Sequence, residues 1–114
     1  MLKLPNRLKK DKDFDNVFKN GKSSYDKILG VKIVLNNRKN SRFGFLVSNK
    51  ISKKAVARNK IKRRIRKAVE DDIKIIKDGH DCVIVALPLV LDKTFLDIKN
   101  SVRYNFKKIG LYKD

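Results

Sequence analysis

The sequence has few of the residues that build disulfides, metal centres and membrane spans. Among its 114 residues, cysteine and histidine occur once each, as Cys82 and His80. One cysteine cannot form a disulfide within the chain, which suits a reducing compartment, and one cysteine and one histidine cannot by themselves make a metal site. No run of the chain approaches the ~18 consecutive apolar residues that a membrane-spanning helix needs. We therefore expect a cytoplasmic protein with no membrane partner.

Motifs for catalysis and phosphate binding are also missing. Neither the GxxxxGK[ST] loop nor the GxGxxG fingerprint occurs, and the first ten residues lack the apolar segment of a secretory signal. The acidic run 70–72 could be read as a metal site, but helical geometry points its three side chains in different directions. We predict no catalytic residue and no tightly bound cofactor in this chain.

Acidic residues are scarce in the first part of the chain. Residues 1–67 contain 22 Lys or Arg and 4 Asp or Glu, a net charge of +18, whereas residues 68–114 contain 8 of each kind and carry no net charge. A generally basic surface would spread its charge evenly, so this distribution indicates a localised site for a polyanion. Nucleic acid is the commonest such partner.

Hydrophobic periodicity predicts one domain over residues 1–114, with the order α-β-β-α-β-α. The first ten residues are predicted to form a basic arm whose order depends on binding, and residues 22–27 a loop or weak edge strand. The wholly apolar run 82–87 is typical of a strand that is central or covered on both faces. Helices are predicted at 11–20, closed by Gly21 in the left-handed conformation, at 56–76 and at 94–109, and strands at 28–35, 42–48 and 82–87.

The stretch 50–67 combines ten Lys or Arg with an apolar stripe. Ile61, Ile65 and Ala68 fall on one side of a helix that turns roughly 100° per residue. The other side offers forked donors for phosphate and an amide for bases or sugar hydroxyls, without deciding between DNA and RNA. The predicted contacts, including the loop before the helix, are Lys50, Lys53, Lys54, Arg58, Asn59, Lys62, Arg63 and Arg66.

Phe14, Val17 and Phe18 share one face of the predicted first helix, at positions i, i+3 and i+4. The simplest interpretation is that both phenylalanines belong to the hydrophobic core.

Two segments carry a resemblance to a known family. Residues 48–66, SNKISKKAVARNKIKRRIR, resemble the signature of the bacterial ribonuclease P protein subunit, S-x-K…K-K-A-x-x-R-N-[RK]-x-K-R-x-x-R. The N-terminal RLKKDKDFDNVFKNG is similar to the opening R-L-x-x-x-x-x-F-x-x-V-F-x-x-G of that family. The signature is met here by Ser48, Lys50, Lys53, Lys54, Ala55, Arg58, Asn59, Lys60, Lys62, Arg63 and Arg66.

The resemblance implies an α+β fold, a two-layer α/β sandwich with a four-stranded mixed sheet similar to a ribosomal-protein domain. It also implies a left-handed crossover through the basic helix, against the usual right-handed rule. That helix, Lys60 included, would contact the catalytic RNA subunit. Phe14 and Phe18 would lie in a cleft that accepts the single-stranded 5′ leader of precursor tRNA, where rings can stack on bases. The RNA would carry out the phosphodiester chemistry with bound Mg²⁺, and no obligate protein partner is expected.

The chain departs from the family pattern at two positions. Lys60 replaces the third member of an R-N-R triplet, which keeps the charge but loses bidentate geometry, and Asn49 stands where many members have lysine. Two other interpretations remain open: a structural or general RNA-binding protein without a role in cleavage, and a basic DNA-binding domain.

Overall fold

The computed structural model describes residues 2–114. It confirms the predicted order of elements and shows that the weak strand after the first helix is real. Short 3-10 helices follow the N-terminus, the second long helix and the last strand. The helices are α1 (Asp11–Asn20), α2 (Ala55–Asp71) and α3 (Phe95–Lys108), and the strands are β1 (Lys22–Tyr25), β2 (Leu29–Leu35), β3 (Arg42–Leu46) and β4 (His80–Ala86).

The four strands form one mixed sheet in the order β1-β2-β4-β3. β2 runs antiparallel to both β1 and β4, whereas β3 and β4 are parallel neighbours connected through α2. The all-apolar strand is therefore an interior one, as its composition predicts. The left-handed sense of the β3–α2–β4 crossover stays a prediction.

The two faces of the sheet are covered to different extents. α2 and α3 pack side by side on one face and enclose the main core, in which Phe43 and Phe106 stack at a centroid distance of 6.4 Å. On the other face, α1 and the segment around Leu8 cover a small cluster built around Leu8, Val17 and Val83. The sheet and the α2–α3 layer thus form the sandwich, and α1 leaves part of the second face open.

Helix α3 lies within one residue of its predicted bounds at each end. The Thr94 hydroxyl accepts from the Asp97 amide at 3.1 Å, and the Asp97 carboxylate accepts from the Thr94 amide at 3.1 Å. This reciprocal pair is a capping box. Gly110, at φ 77°, closes the C-terminus in the left-handed region.

The predicted end of α2 was wrong by five residues. The helix ends at Asp71, and Asp72 leaves helical geometry at φ −107° and ψ 7°. The Asp72 carboxylate is buried and accepts hydrogen bonds from Arg103 of α3 and from the Tyr112 hydroxyl near the C-terminus. Because both partners are distant in sequence, the local periodicity could not indicate where the helix stops.

Gly21 also differs from its prediction. Its φ is −82°, outside the left-handed region. A side chain at this position would place Cβ 2.5 Å from the Val17 carbonyl oxygen and 2.8 Å from that of Ile33. Glycine is therefore required by the close approach of α1 to β2 rather than by the helix cap.

The described part of the N-terminal arm packs against the sheet. Leu2 is 3% exposed, and the Leu8 amide donates to the Phe43 carbonyl at 3.0 Å, beside a parallel bridge between Arg7 and Phe43. The arm therefore lies along the edge of β3. None of the helices within residues 2–114 has the length and apolar character to cross a membrane.

Candidate nucleic-acid interface

Helix α2 presents two different sides because its apolar residues recur at helical spacing. Ile61, Ile65, Ala68 and Val69 are buried against the main core. The side facing away carries Asn59 and Arg63, both exposed, with Lys62 and Arg66 half-buried along its flank. The core contacts hold the helix in place, so the cations and the amide are displayed from a rigid support.

Arg66 is held at the edge of the sheet. Its guanidinium carbon lies 5.7 Å from the centroid of the Phe45 ring, within cation–π distance. Arg64, on the opposite flank, donates instead to the Lys93 carbonyl at 3.0 Å. The two arginines therefore have separate surroundings, and only Arg66 faces β3.

The loop before α2 gathers further predicted residues. Arg58 Nη1 donates to the Ser52 carbonyl at 2.9 Å, so this half-buried guanidinium ties the helix to the loop. The Ser52 hydroxyl accepts from the Lys54 amide at 3.2 Å, which shapes the last turn of the loop. A depression of about 660 Å³ results, lined by Asn49, Lys50, Ile51, Ser52, Lys53 and Arg58. Lys54 and Lys60 are exposed.

A groove at the edge of β3 joins residues that the sequence placed in two separate groups. Phe14 of the predicted cleft and Lys62 and Arg66 of α2 line the same cavity of about 340 Å³. Sequence reasoning missed several other contributors, among them Arg7, Lys9 and Phe45. The alternation Phe43-Gly44-Phe45 was an available signal for a strand with rings on one face and a bare position on the other.

Phe14 and Phe18 lie in different environments. The Phe14 ring packs on Gly44, where an added Cβ would come within 2.4 Å of two ring carbons, so this side chain is half-buried. Phe18 is 41% exposed, and Lys32 Nζ lies 5.6 Å from its ring centroid. Core packing thus describes Phe14 better than Phe18, and Lys32 is a cation beside the cleft that sequence reasoning missed.

An ionic network holds the start of α1 on the sheet. Arg42 donates from Nε and Nη2 to the two Asp81 oxygens at 2.8 and 2.6 Å, and its Nη1 lies 3.4 Å from Asp13. The hydrogen bonds to Asp81 raise the pKa of Arg42. Asp81 is buried on β4 and Asp13 belongs to α1. The network therefore fixes the helix that carries both phenylalanines.

The acidic end of α2 forms structural ion pairs. Asp71 binds Lys67, four residues earlier on α2, at 3.0 Å and also Lys99 of α3 at 3.0 Å. Hydrogen bonds from Lys99 and then Lys67 lower the pKa of Asp71. Residues 2–114 contain no cluster of three or more His, Cys, Asp or Glu side chains placed to hold a metal ion. Cys82 is fully buried, and burial raises the pKa of its thiol.

Comparison with known proteins decides the family. The family model described as Ribonuclease P matches residues 2–110. The chain belongs to the ribonuclease P protein family. Among curated relatives, the ribonuclease P protein component of Clostridium kluyveri is 37% identical over 94% of this chain and 96% of its own length. That of Bacillus velezensis is 40% identical over 98% and 96%.

Solved structures of ribonuclease P proteins share the fold. The Staphylococcus aureus RNase P protein superposes with a TM-score of 0.86 at 33% identity, covering 95% of this chain and 98% of that one. The Thermotoga maritima RNase P protein gives 0.79 at 28% identity over 86% and 92%. The α+β fold with a four-stranded mixed sheet is therefore the ribonuclease P protein fold. As a family member, the chain is a subunit of the endoribonuclease ribonuclease P, which works with an RNA subunit in processing the 5′ end of tRNA.

Proposed function

We propose that this chain divides two RNA-binding tasks between two surfaces. The exposed side of α2 and its preceding loop bind the catalytic RNA of ribonuclease P, and the cleft between α1 and the sheet binds the single-stranded 5′ leader of precursor tRNA. The observation that carries the proposal is the groove at the edge of β3, which joins Phe14 to Lys62 and Arg66. The two surfaces therefore adjoin at this groove, one offering rings to unpaired bases and the other forked cations to a folded RNA.

The chemistry assigned to each component follows from the residues present. The protein supplies positive charge, amide donors and stacking surfaces, which bind and orient RNA. We assign phosphodiester hydrolysis to the RNA subunit with its bound Mg²⁺, with no obligate protein partner, and place the holoenzyme in the cytoplasm. If six to eight cations meet phosphates, log K should fall with log salt with a slope of roughly −5 to −7.

Cleavage at low Mg²⁺ tests this function. A bacterial ribonuclease P RNA should cut precursor tRNA faster with this protein than without it, because the protein adds ordered contacts to the leader. An equal amount of a basic protein of unrelated fold controls for charge alone. RNA binding without stimulation would favour a general RNA-binding protein. A preference for duplex DNA over precursor tRNA of equal length at physiological salt would favour the DNA-binding interpretation.

A further inference from the structure

One row of the sheet lies beside α1 and is only partly covered by it, since Val85 packs against the cluster of Leu8, Val17 and Val83. The strand register places Tyr25 of β1, Gly30 of β2, Val85 of β4 and Leu46 of β3 side by side. Residues on this face alternate with those of the main core, as Ser24 shows by bonding to Asn105 of α3 at 2.7 Å. The row is therefore on the same face as α1.

Helix α1 rests on the neighbouring row. Phe18 lies near Lys32, Val17 packs with Val83, and Phe14 packs on Gly44. These three sheet residues are paired across the strands, two positions or about 7 Å from the open row. The open row accordingly forms a floor along one side of α1, and beyond Leu46 the chain continues into the basic loop at Lys50–Lys54.

Tyr25 is placed on this floor as a flat ring. A Cβ built on its cross-strand partner Gly30 would lie 2.4 and 2.6 Å from two Tyr25 ring carbons, so the ring covers the bare glycine. The side chain is nevertheless 49% exposed. One side of the ring is supported by the sheet and the other is accessible from solvent, which is the geometry on which an unpaired base can stack.

Lys32 makes this position suitable for a nucleotide rather than for an apolar ligand. It lies on the same strand and face as Gly30, and its ammonium is 5.6 Å from the Phe18 ring. A phosphate near Lys32 would leave bases on either side within reach of Phe18 and Tyr25. The surroundings thus combine a cation with two accessible rings, as in proteins that bind single strands by stacking and charge.

We propose that Tyr25 is a third stacking residue for the precursor tRNA leader, extending the binding surface from Phe18 to the edge strand β1. This inference rests on the proposed function of the cleft. It assigns the role to the ring face of Tyr25 and predicts that the residue contacts a part of the leader that only longer leaders contain.

Equilibrium binding of the reconstituted holoenzyme to precursor tRNAs with leaders of increasing length tests the assignment. Tyr25→Ala should weaken binding to long-leader substrates about fivefold to tenfold, the low end of the range for loss of one stacked base. Very short leaders and mature tRNA should bind as they do to the wild-type holoenzyme. Tyr25→Phe should stay within about twofold of wild type, because the ring and its support are retained.

Two further variants distinguish stacking of the Tyr25 ring on a base from its packing over Gly30. Tyr25→Leu keeps apolar cover over Gly30 but removes the flat ring, so it should behave like Tyr25→Ala in binding while its thermal unfolding stays close to wild type. Tyr104→Ala removes a comparable tyrosine, 51% exposed on α3 with Lys108 Nζ 5.6 Å from its ring. It lies on the other side of the molecule and should bind every substrate as wild type does.

Wild-type affinity of Tyr25→Leu for long leaders would overturn the proposal and assign the ring a purely structural role. A loss of equal size with mature tRNA would also overturn it. Phe18→Ala run in parallel distinguishes the two levels of inference. If Phe18→Ala shows a leader-dependent loss and Tyr25→Leu does not, only the role of Tyr25 fails. If neither variant does, the proposed leader cleft fails as well.

Discussion

The two faces of the sheet are built from the same four strands but are used differently. Toward α2 and α3, a continuous core includes large, fully buried side chains such as Phe43, Ile65 and Phe106. Toward α1, the buried cluster contains only Leu8, Val17 and Val83, and the position of the helix depends on ionic contacts from Arg42. The first face stabilises the fold, and the second leaves rings and cations accessible for binding.

The comparison shows why a small domain can display so many exposed cations. Because burial of apolar surface on one face supplies most of the stabilisation, the other face and the outer side of α2 can carry residues that contribute little to folding. Changes on the first face should therefore act on stability. On the second face and the outer side of α2, changes to exposed rings and cations should act on RNA binding, whereas Arg42, which ties α1 to the sheet, should act on stability. Five substitutions or conditions test this division.

Phe106→Ala should have the largest effect on stability. The side chain is fully buried and stacks on Phe43, so its removal should lower the free energy of unfolding by about 3–5 kcal/mol. Urea denaturation measures this. Tyr104→Ala, on the exposed side of the same helix, should change stability by about 0.5 kcal/mol or less. Similar losses of stability in Phe106→Ala and Tyr104→Ala would contradict this division between core and exposed residues.

Arg42→Ala should destabilise the protein by about 3 kcal/mol, because it leaves the buried Asp81 carboxylate without its bidentate partner. It should also loosen α1, which is tied through Asp13. Arg42→Lys keeps the charge but not the forked guanidinium, so its stability should lie between those of the wild type and of Arg42→Ala. Hydrogen exchange of α1 amides should rise in the alanine variant, and unchanged protection would show that apolar packing alone positions this helix.

Acid should weaken the contact between α2 and the C-terminal segment. Burial raises the pKa of Asp72, but hydrogen bonds from Arg103 and Tyr112 outweigh that effect and hold the pKa below its ordinary value of 3.8. The stabilisation is therefore fully present above pH 3.8 and is lost as the pH falls through the lowered pKa. Asp72→Asn should be less stable than wild type by about 1–2 kcal/mol at pH 7. This difference should shrink below pH 3.8, and a difference independent of pH would contradict the assignment.

Phe18→Ala should affect binding more than folding. With 41% of the side chain exposed, its loss should cost less than about 1 kcal/mol of stability. Affinity for precursor tRNA should fall by about 1–3 kcal/mol, with mature tRNA unchanged. Calorimetric unfolding and paired binding titrations measure the two quantities. Unfolding of the variant without a selective leader effect would show that the core interpretation was right.

Arg63→Ala should produce the smallest change. The side chain is exposed, so stability should move by about 0.5 kcal/mol or less. Binding to the RNA subunit should weaken, and the slope of log K against log salt should become shallower by about one. Lys107→Ala removes the same charge from the exposed side of α3 and should leave the slope unchanged. An equal change in both variants would point to net charge rather than to a contact.

Much of the fold could be predicted from local patterns in the sequence. The predictions that were wrong, for the end of α2 and for Gly21, share one cause. The apolar stripe of α2, the interior strand β4 and the bounds of α3 to within one residue were predicted because each depends on neighbouring residues along the chain. The end of α2 at Asp71 and the role of Gly21 were not, since they depend on Tyr112 and on Ile33, which the fold brings close from a distance. Of the candidate site, the cations of α2 were accessible to sequence reasoning, but the position of Lys32 beside the Phe18 ring was not, because it depends on how α1 packs on β2.

The sequence by itself determined where the charge lies, which side of α2 is apolar and which family the motifs resemble, because all three are carried by residue order within short segments. Tertiary structure decided which of these residues meet. The groove that joins Phe14 to Arg66 requires the edge of β3 to lie between α1 and α2, and the support of Tyr25 requires the register that pairs it with Gly30. Such contacts depend on the pairing of strands and the packing of helices, which no local periodicity specifies.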